Sequence, residues 1–462
     1  MSAKKVLIVG GGIAGLTAAA AHKIRGNAVC VLESTGRVGG NVQSICRDGF
    51  LAEGGPSTLL VEEKKLYDFL RETKILDAAI EPLASSKKRY ILRGAIPRLV
   101  PNSLTSAVTT PLFSIFGKIR LLGDILMPRH KNVPTSVADF VRHRIGNEMY
   151  NYALNPLVAG IFAGEPEKLD VRFTFPKVWT LDQKYGSLIL GTFPNAKAKK
   201  ASGLYEKKRT LSFPRGMETL PKMLAEFVGN DKIFLNVKVT DLSRGNGKWR
   251  AHWVKQSAVC DFVELDGEFD EVVIACPPKN YREVLGVLLA GTPLFDEAEK
   301  LYFPPVTTLT LGYKREQVAH SLDGFGMLVP EKEKREILGT LWNSSFLPNR
   351  APAGCVTLTV YLGGARQPEI ALKSREEKLA IAKRELAALL GVNGEPCFVE
   401  MAEHAEAIPQ YNLGYENFES ALAAAEKAFP QLRFVGNSRG GIAVGATLLN
   451  ALKKVEEDKN LK

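Results

Sequence analysis

The sequence predicts an α/β protein in three parts: a Rossmann-like domain, a domain built on a mixed sheet, and a mostly helical insertion. Three observations carry that expectation. The apolar run Val6 to Val9 leads through Gly10-x-Gly12-x-x-Gly15 into an alanine-rich helical stretch ending near Arg25, and Ala28 to Leu32 reads as a second buried strand. Strand, helix and strand at this spacing form a parallel crossover. From Lys87 to about Lys208 the pattern turns helical, punctuated by Pro97, Pro101, Pro111, Pro128 and Pro134. Strand signals return at Val306 to Leu311, Leu338 to Trp342 and Cys355 to Leu362, as in a mixed sheet.

The remaining elements follow in order. Glu62 to Thr73 reads as an amphipathic helix with Leu66, Phe69 and Leu70 on one face. Arg89 to Leu92 is strand-like and ends in a turn at Arg93-Gly94, and Leu112 to Leu126 reads as one long helical region. Asn195 to Arg209 carries six Lys/Arg and reads as a solvated loop. Ile233 to Val239 and Trp249 to Val254 alternate like strands, and Glu271 to Ala275 is a buried strand closed by Pro277-Pro278. Arg375 to Leu390 is a charged amphipathic helix. The chain closes on strand Phe434-Val435, the loop Gly436 to Gly441 and a helix from about Ala443.

At 462 residues the chain exceeds what one hydrophobic core organises. With 45% hydrophobic and 24% charged residues and no repeats, it is neither collagen, coiled coil nor disordered. The six cysteines (Cys30, Cys46, Cys260, Cys276, Cys355, Cys397) form no Cys-x-x-Cys, which argues against a zinc ribbon or disulfide scaffold and suits a reducing compartment. No secretory signal or transit peptide is visible, and the longest apolar stretch, Val6 to Ala21, is broken by glycines and Thr17. A cytoplasmic location is expected. The net charge of +11 is spread out, and no arginine-rich run with interleaved aromatics points to nucleic acid.

The glycine triplet carries the chemistry. Gly10 permits the tight turn, Gly12 lets a pyrophosphate approach the backbone, and Gly15 lets helix and strand pack closely. The free amides of the first helical turn, at Ile13 and Ala14, then face the phosphates. Glu33 closes the second strand beside Ser34, where a carboxylate accepts hydrogen bonds from ribose hydroxyls. An acid there favours NAD or FAD over NADP. Arg37-Val38-Gly39-Gly40 follows, with two glycines able to lie along a cofactor and an arginine able to neutralise a phosphate. Glu53-Gly54-Gly55-Pro56, ahead of Ser57, is a second glycine cluster able to lie against a flat ring. The six histidines show no metal-ligand spacing, and no metal is expected.

This arrangement resembles the FAD-dependent amine oxidases, carotenoid desaturases and protoporphyrinogen oxidases. Gly436-Asn437-Ser438-Arg439-Gly440-Gly441 ahead of a helix, continuing through Ile442, Ala443 and Val444, is similar to that superfamily's second flavin contact. Within it, Lys88-Arg89-Tyr90-Ile91, Asn155-Pro156-Leu157-Val158-Ala159-Gly160, Ala163-Gly164-Glu165-Pro166, Gly216-Met217-Glu218-Thr219-Leu220 and Gly324-Phe325-Gly326-Met327-Leu328-Val329-Pro330 look like protoporphyrinogen oxidase of the plant and Gram-negative type. The resemblance runs from about Lys4 to Val455.

The resemblance implies an FAD domain assembled from residues 1–82, 208–278 and 425–462, a mostly helical, membrane-docking insertion over 83–207, and a substrate domain over 279–424. It implies FAD as cofactor, a porphyrinogen substrate, O₂ as acceptor with hydrogen peroxide as product, and catalysis by the flavin rather than by a side chain. Arg89 matches the arginine that holds a substrate propionate, and its planar fork suits a carboxylate. Leu328 and Trp342 sit at or near positions that sandwich the tetrapyrrole, and Val239 matches the residue whose backbone binds adenine. Thr109 to Met127, flanked by Lys118, Arg120, Arg129 and Lys131, is expected to make peripheral membrane contact, which places the protein at the inner face of a membrane. Dimers occur in the family, though nothing in this sequence shows one. Two positions depart from it: Ala446 replaces an Asp common in relatives, and Ser57 stands where some relatives have Arg for a second propionate.

Three rival readings remain at this stage. Coproporphyrinogen III carries four propionates and calls for more basic residues in the pocket than Arg89. An amine oxidase or carotenoid desaturase would share Gly10 to Gly40 but not the Arg89 or Gly324-Phe325-Gly326 regions. A non-catalytic binding protein of the GDP-dissociation-inhibitor type is opposed by the intact phosphate loop and Glu33.

Overall fold

The computed structural model describes residues 3–203, 205–255 and 263–457. Cys260 lies outside them. A parallel five-stranded sheet runs in the order Leu432–Phe434, Glu271–Ile274, Lys5–Val9, Ala28–Leu32, Ile233–Phe234. Past Lys5 and Glu271, which open two of them, its central strands are apolar because both faces are covered. Val6 and Ile8 face one core with the alanines of helix Ile13–Ile24, while Leu7 and Val9 face another with Tyr281, Tyr411, Tyr415 and Phe418. Ala18, Ala19 and Ala20 keep that helix slim enough to pack on the C-terminal helix Val444–Glu456.

A seven-stranded mixed sheet is ordered Phe398–His404, Val306–Lys314, Cys355–Gly363, Gly339–Leu341, Gly326–Leu328, Tyr90–Arg93, Ile96–Leu99. One face buries Leu309, Leu311, Leu358 and Val360 under helix Arg375–Leu390. The hairpin Tyr90 to Leu99 falls within the 83–207 segment, yet it extends this sheet, with Leu328 paired to Ile91 in parallel. The rest of that segment is helical around a separate core of Val137, Phe140, Tyr150, Val158 and Phe162.

Four expected elements are corrected. Glu62 and Glu63 are not helical: Leu59–Glu63 is a strand paired with Tyr205–Leu211, and the helix begins at Lys64. Asn195 to Arg209 is not a loop. Its first half extends helix Leu188–Ser202, which Ser187 caps and Gly203 ends in the left-handed region, and its second half is that same partner strand. Lysine is a good helix former, so charge density alone misread the segment. Leu112 to Leu126 is not one helix. Ser114 caps a separate helix, Ile115–Leu122, and a 3₁₀ turn, Gly123–Leu126, follows. Ile233 to Val239 splits at Asn236, whose positive φ of 55° turns the chain from the parallel sheet into an antiparallel one, Val237–Gly245, Lys248–Lys255 and Val263–Phe269.

Candidate active site

The glycine triplet forms the turn between the first strand and its helix. Gly10 adopts φ +111°, and a Cβ on it would lie 2.9 Å from the Ala275 carbonyl. A Cβ on Gly15 would lie 2.0 Å from the Gly10 carbonyl oxygen, so only glycine lets the helix approach. A Cβ on Gly12 would meet nothing within 4 Å. That open space faces a helix start at Ile13 and Ala14 with no side-chain cap, so its amides are free for an anion.

Glu33 is half-buried beside this turn. Its Oε2 accepts from the Gly11 amide at 2.6 Å, and its Oε1 accepts from the Thr35 amide and hydroxyl at 2.8 Å. Ser34 is exposed next to it. Val239 is buried at a bulge in the strand that Val237 ties to the Glu33 carbonyl at 2.9 Å. Gly39 pairs with Gly12 across an isolated bridge, its amide 2.9 Å from the Gly11 carbonyl, with φ values of +103° at Gly39 and +58° at Gly40. Arg37 folds back on this loop, donating to the Gly40 carbonyl at 2.7 Å.

Two further segments converge here. Gly55 is packed so tightly that a Cβ would lie 2.3 Å from the Asn41 carbonyl oxygen. The neighbouring Gly54 carbonyl accepts from His404 Nε2 at 2.5 Å, Pro56 is half-buried, and Ser57 is buried. From the C-terminus, the loop holding Gly436 (φ +146°) and Gly441 (φ +128°) delivers Ile442 and Ala443 to the start of helix Val444–Glu456. This helix also begins with no side-chain cap and no acidic residue. Gly445 abuts the Leu60 carbonyl, so the helix start sits against the chain just after Ser57.

Sequence reasoning missed several of the residues that build this place. The Tyr411 hydroxyl donates to the Asn437 carbonyl at 2.6 Å and accepts from the Gly441 amide at 3.0 Å, bridging the C-terminal loop, while the Tyr415 hydroxyl donates to the Ser438 carbonyl at 2.7 Å. Glu53 is buried 3.6 Å from the buried guanidinium of Arg350 and accepts from the Met217 amide at 3.0 Å. Burial pushes its carboxyl up to about 7, against the lowering pull of Ser44 and Arg350. An acid directly before Gly54-Gly55 was the available signal.

The second face of the seven-stranded sheet is turned toward Gly54–Ser57. Ala402, Thr308, Tyr361, Gly339, Leu328 and Ile91 form one cross-strand row on it. Ala402 sits beside Gly54, Leu328 lies against Gly160 of helix Asn155–Phe162, and Gly339 leaves the middle of the row bare. The adjacent Thr310 and Thr359 hydroxyls bond each other at 2.9 Å. Arg89 is exposed where the row's outer hairpin begins, its guanidinium 4.9 Å above the Phe325 ring. Tyr361 carried no sequence signal because its place in the row depends on pairing with distant strands.

Trp342 does not join them. The expectation that it sandwiches a tetrapyrrole is corrected: it is 0% exposed, with Tyr90 at 5.2 Å and His320 at 4.7 Å between ring centroids. Its ring fills the core on the opposite face of the sheet and offers no surface to a ligand.

Comparison with known proteins agrees with this architecture. Residues 13–449 match the flavin containing amine oxidoreductase family. The mitochondrial protoporphyrinogen oxidase of Nicotiana tabacum is 32% identical, covering 97% of this chain and 93% of its own. The coproporphyrinogen III oxidase of Bacillus subtilis is 27% identical over 96% and 95% of the two chains. A crystal structure from Exiguobacterium sp. 255-15 superposes with a TM-score of 0.79 over all of both chains at 22% identity, which shows the shared fold. The uncapped helix starts, the open face at Gly12 and the tight glycine loops fit the flavin that this family carries, and the chain belongs to the flavin-containing amine oxidoreductases, as a relative of the protoporphyrinogen oxidases.

Proposed function

We propose that the protein oxidises protoporphyrinogen IX to protoporphyrin IX in haem and porphyrin biosynthesis, with FAD as its cofactor. Six hydrogens leave the substrate and three O₂ become three H₂O₂. The observation that carries this reading is the cross-strand row from Ala402 to Ile91, neutral and partly bare, opposite Gly54–Ser57 and ending beside Arg89. An apolar macrocycle with carboxylates on one edge fits such a face. The similarity to the tobacco enzyme along nearly the whole chain supports the same substrate class.

Bound FAD would supply the hydride acceptor, with O₂ as the terminal oxidant. The chain's own residues orient. Gly12, Ile13, Ala14 and the Arg37–Gly40 loop would hold the pyrophosphate, Glu33 the ribose and Val239 the adenine end. The amides that open helix Val444–Glu456 would favour negative charge on a bound flavin. Arg89 fixes a propionate and Leu328 packs on the macrocycle, so that each meso carbon is presented in the same place.

Membrane docking is part of the proposal. Ile115, Phe116, Ile119, Leu122 and Leu126 are 60–83% exposed on and just past helix Ile115–Leu122. Arg129 and Lys131 lie close by along the chain, as an anionic lipid surface requires. No helix among the described residues is long and apolar enough to cross a membrane.

The test is a fluorescence assay with protoporphyrinogen IX and coproporphyrinogen III supplied separately in air. Faster protoporphyrin formation supports the proposal. Preference for coproporphyrinogen, the second reading favoured by the Bacillus relative, overturns the substrate and keeps the flavin chemistry.

A further inference from the structure

The hairpin that carries Arg89 holds a second arginine on the same face. Ile91 pairs with Arg98 across the hairpin, which adds Arg98 to the outer end of the row containing Leu328 and Tyr361. The Val100 amide bonds the Arg89 carbonyl at 2.8 Å, so the pairing continues one step and sets Arg89 opposite Val100. Arg89 and Arg98 are therefore diagonal neighbours, about 7–8 Å apart at the backbone and within reach of long side chains.

Neither guanidinium makes an ion pair among the described residues. Arg89 lies over the Phe325 ring, and Arg98 is half-buried with no acidic partner. Two neighbouring cations differ. Lys88 is paired with Asp323, and Arg93 with Glu148 at 2.6 Å. Two unneutralised like charges at this spacing repel each other. A ligand with two carboxylates removes the repulsion and gives each planar fork a partner.

We propose that Arg98 is a second carboxylate anchor, and that Arg89 and Arg98 together clamp the two propionates on one edge of the tetrapyrrole. The inference rests on the porphyrinogen reading and deepens it. It supplies at Arg98 the contact that Ser57, at the other end of the site, does not. It also makes a dicarboxylate the matched substrate. A tetracarboxylate places its further charges over Leu328 and bare Gly339, where this row has no cation.

The test measures binding of protoporphyrin IX and of its dimethyl ester to the flavin-loaded protein, by porphyrin fluorescence, for wild type, Arg89→Gln, Arg98→Gln and Arg98→Lys. Flavin absorbance at 450 nm checks that each variant is folded and loaded. Arg98→Gln weakens the free acid about tenfold and leaves the ester unchanged, and Arg98→Lys recovers part of the loss. In turnover, Arg98→Gln raises KM more than it lowers kcat. Wild-type affinity of Arg98→Gln for the free acid, with Arg89→Gln impaired, overturns this inference alone. A wild type that binds acid and ester equally, with Arg89→Gln unimpaired, overturns the porphyrinogen reading and the clamp with it.

Discussion

The two halves of the site are made of different material. On the cofactor side the working groups are backbone: amides at two helix starts, and glycines at 10, 12, 15, 39, 40 and 55 that bring chain close to chain. On the proposed substrate side they are side chains set out along a row of seven strands. A site built of backbone tolerates little change, because the groups that bind are also those that close the fold. A site built of side chains on a sheet can be altered one residue at a time.

The sharpest way to break that comparison lies within the glycine triplet. Gly15→Val forces a Cβ to within 2.0 Å of the Gly10 carbonyl oxygen and pushes helix from strand. Such overpacking costs at least about 3 kcal/mol, and the variant is expected to be insoluble or free of flavin. Gly12→Ala meets no atom within 4 Å, so it is expected to fold with near wild-type melting temperature and still lose FAD affinity. Equal unfolding of both variants, measured by calorimetry beside FAD titration, would mean that Gly12 is structural rather than open for a phosphate.

A buried charge outside the site gives the next largest effect. Arg144 is 0% exposed under the helical segment, paired with Asp182 and 3.5 Å from Asp124, and it donates to the Gly186 carbonyl at 2.9 Å. Removing one member of such a group strands the others, which costs about 3–5 kcal/mol. Arg144→Leu is therefore expected to loosen residues 124–190 in hydrogen exchange while the flavin half stays protected. Uniform loss of protection would show that the two regions unfold as one.

What was legible in the sequence follows the same division. The first crossover, the glycine loops, Glu33 and the C-terminal helix depend on residues close in the chain, and each was readable. Tyr361 and Arg98 join one row only through strand order, which sets Ile91 beside the distant Leu328, and no local pattern announces that pairing. Trp342 was placed by resemblance near a binding position, but its neighbours Tyr90 and His320 come from other parts of the chain and turn it into core. The lysine-rich stretch at 195–209 was misread because charge density was taken for irregularity.

Glu53 sharpens the comparison from the other side, as a side chain buried in the backbone-built half. Burial raises its carboxyl from 4.5 to about 7. Between those values the folded state binds more protons than the unfolded chain, so stability falls as pH rises through the window and is level on either side. The size is about 3 kcal/mol across the window. Urea melts at pH 5 and pH 8 are expected to show wild type losing stability that Glu53→Gln does not. Parallel loss in both proteins would assign the slope to another group.

The smallest effect on stability, and the one most specific to function, belongs to the exposed helix. Phe116 is 83% and Leu126 is 82% exposed, so neither contributes packing to the fold. Substitution of such residues changes stability by less than about 0.5 kcal/mol, and Phe116→Ser/Leu126→Ser is expected to melt with the wild type. An apolar patch of this kind, with Arg129 and Lys131 close by along the chain, has its use at an interface. The double variant is therefore expected to lose most of its co-sedimentation with vesicles containing anionic lipid, while FAD content and turnover of dissolved substrate stay unchanged. If the variant sediments as the wild type does, the apolar helix is not the docking face. If the melting temperature drops by several degrees instead, the patch is packed against another part of the protein and the membrane assignment falls.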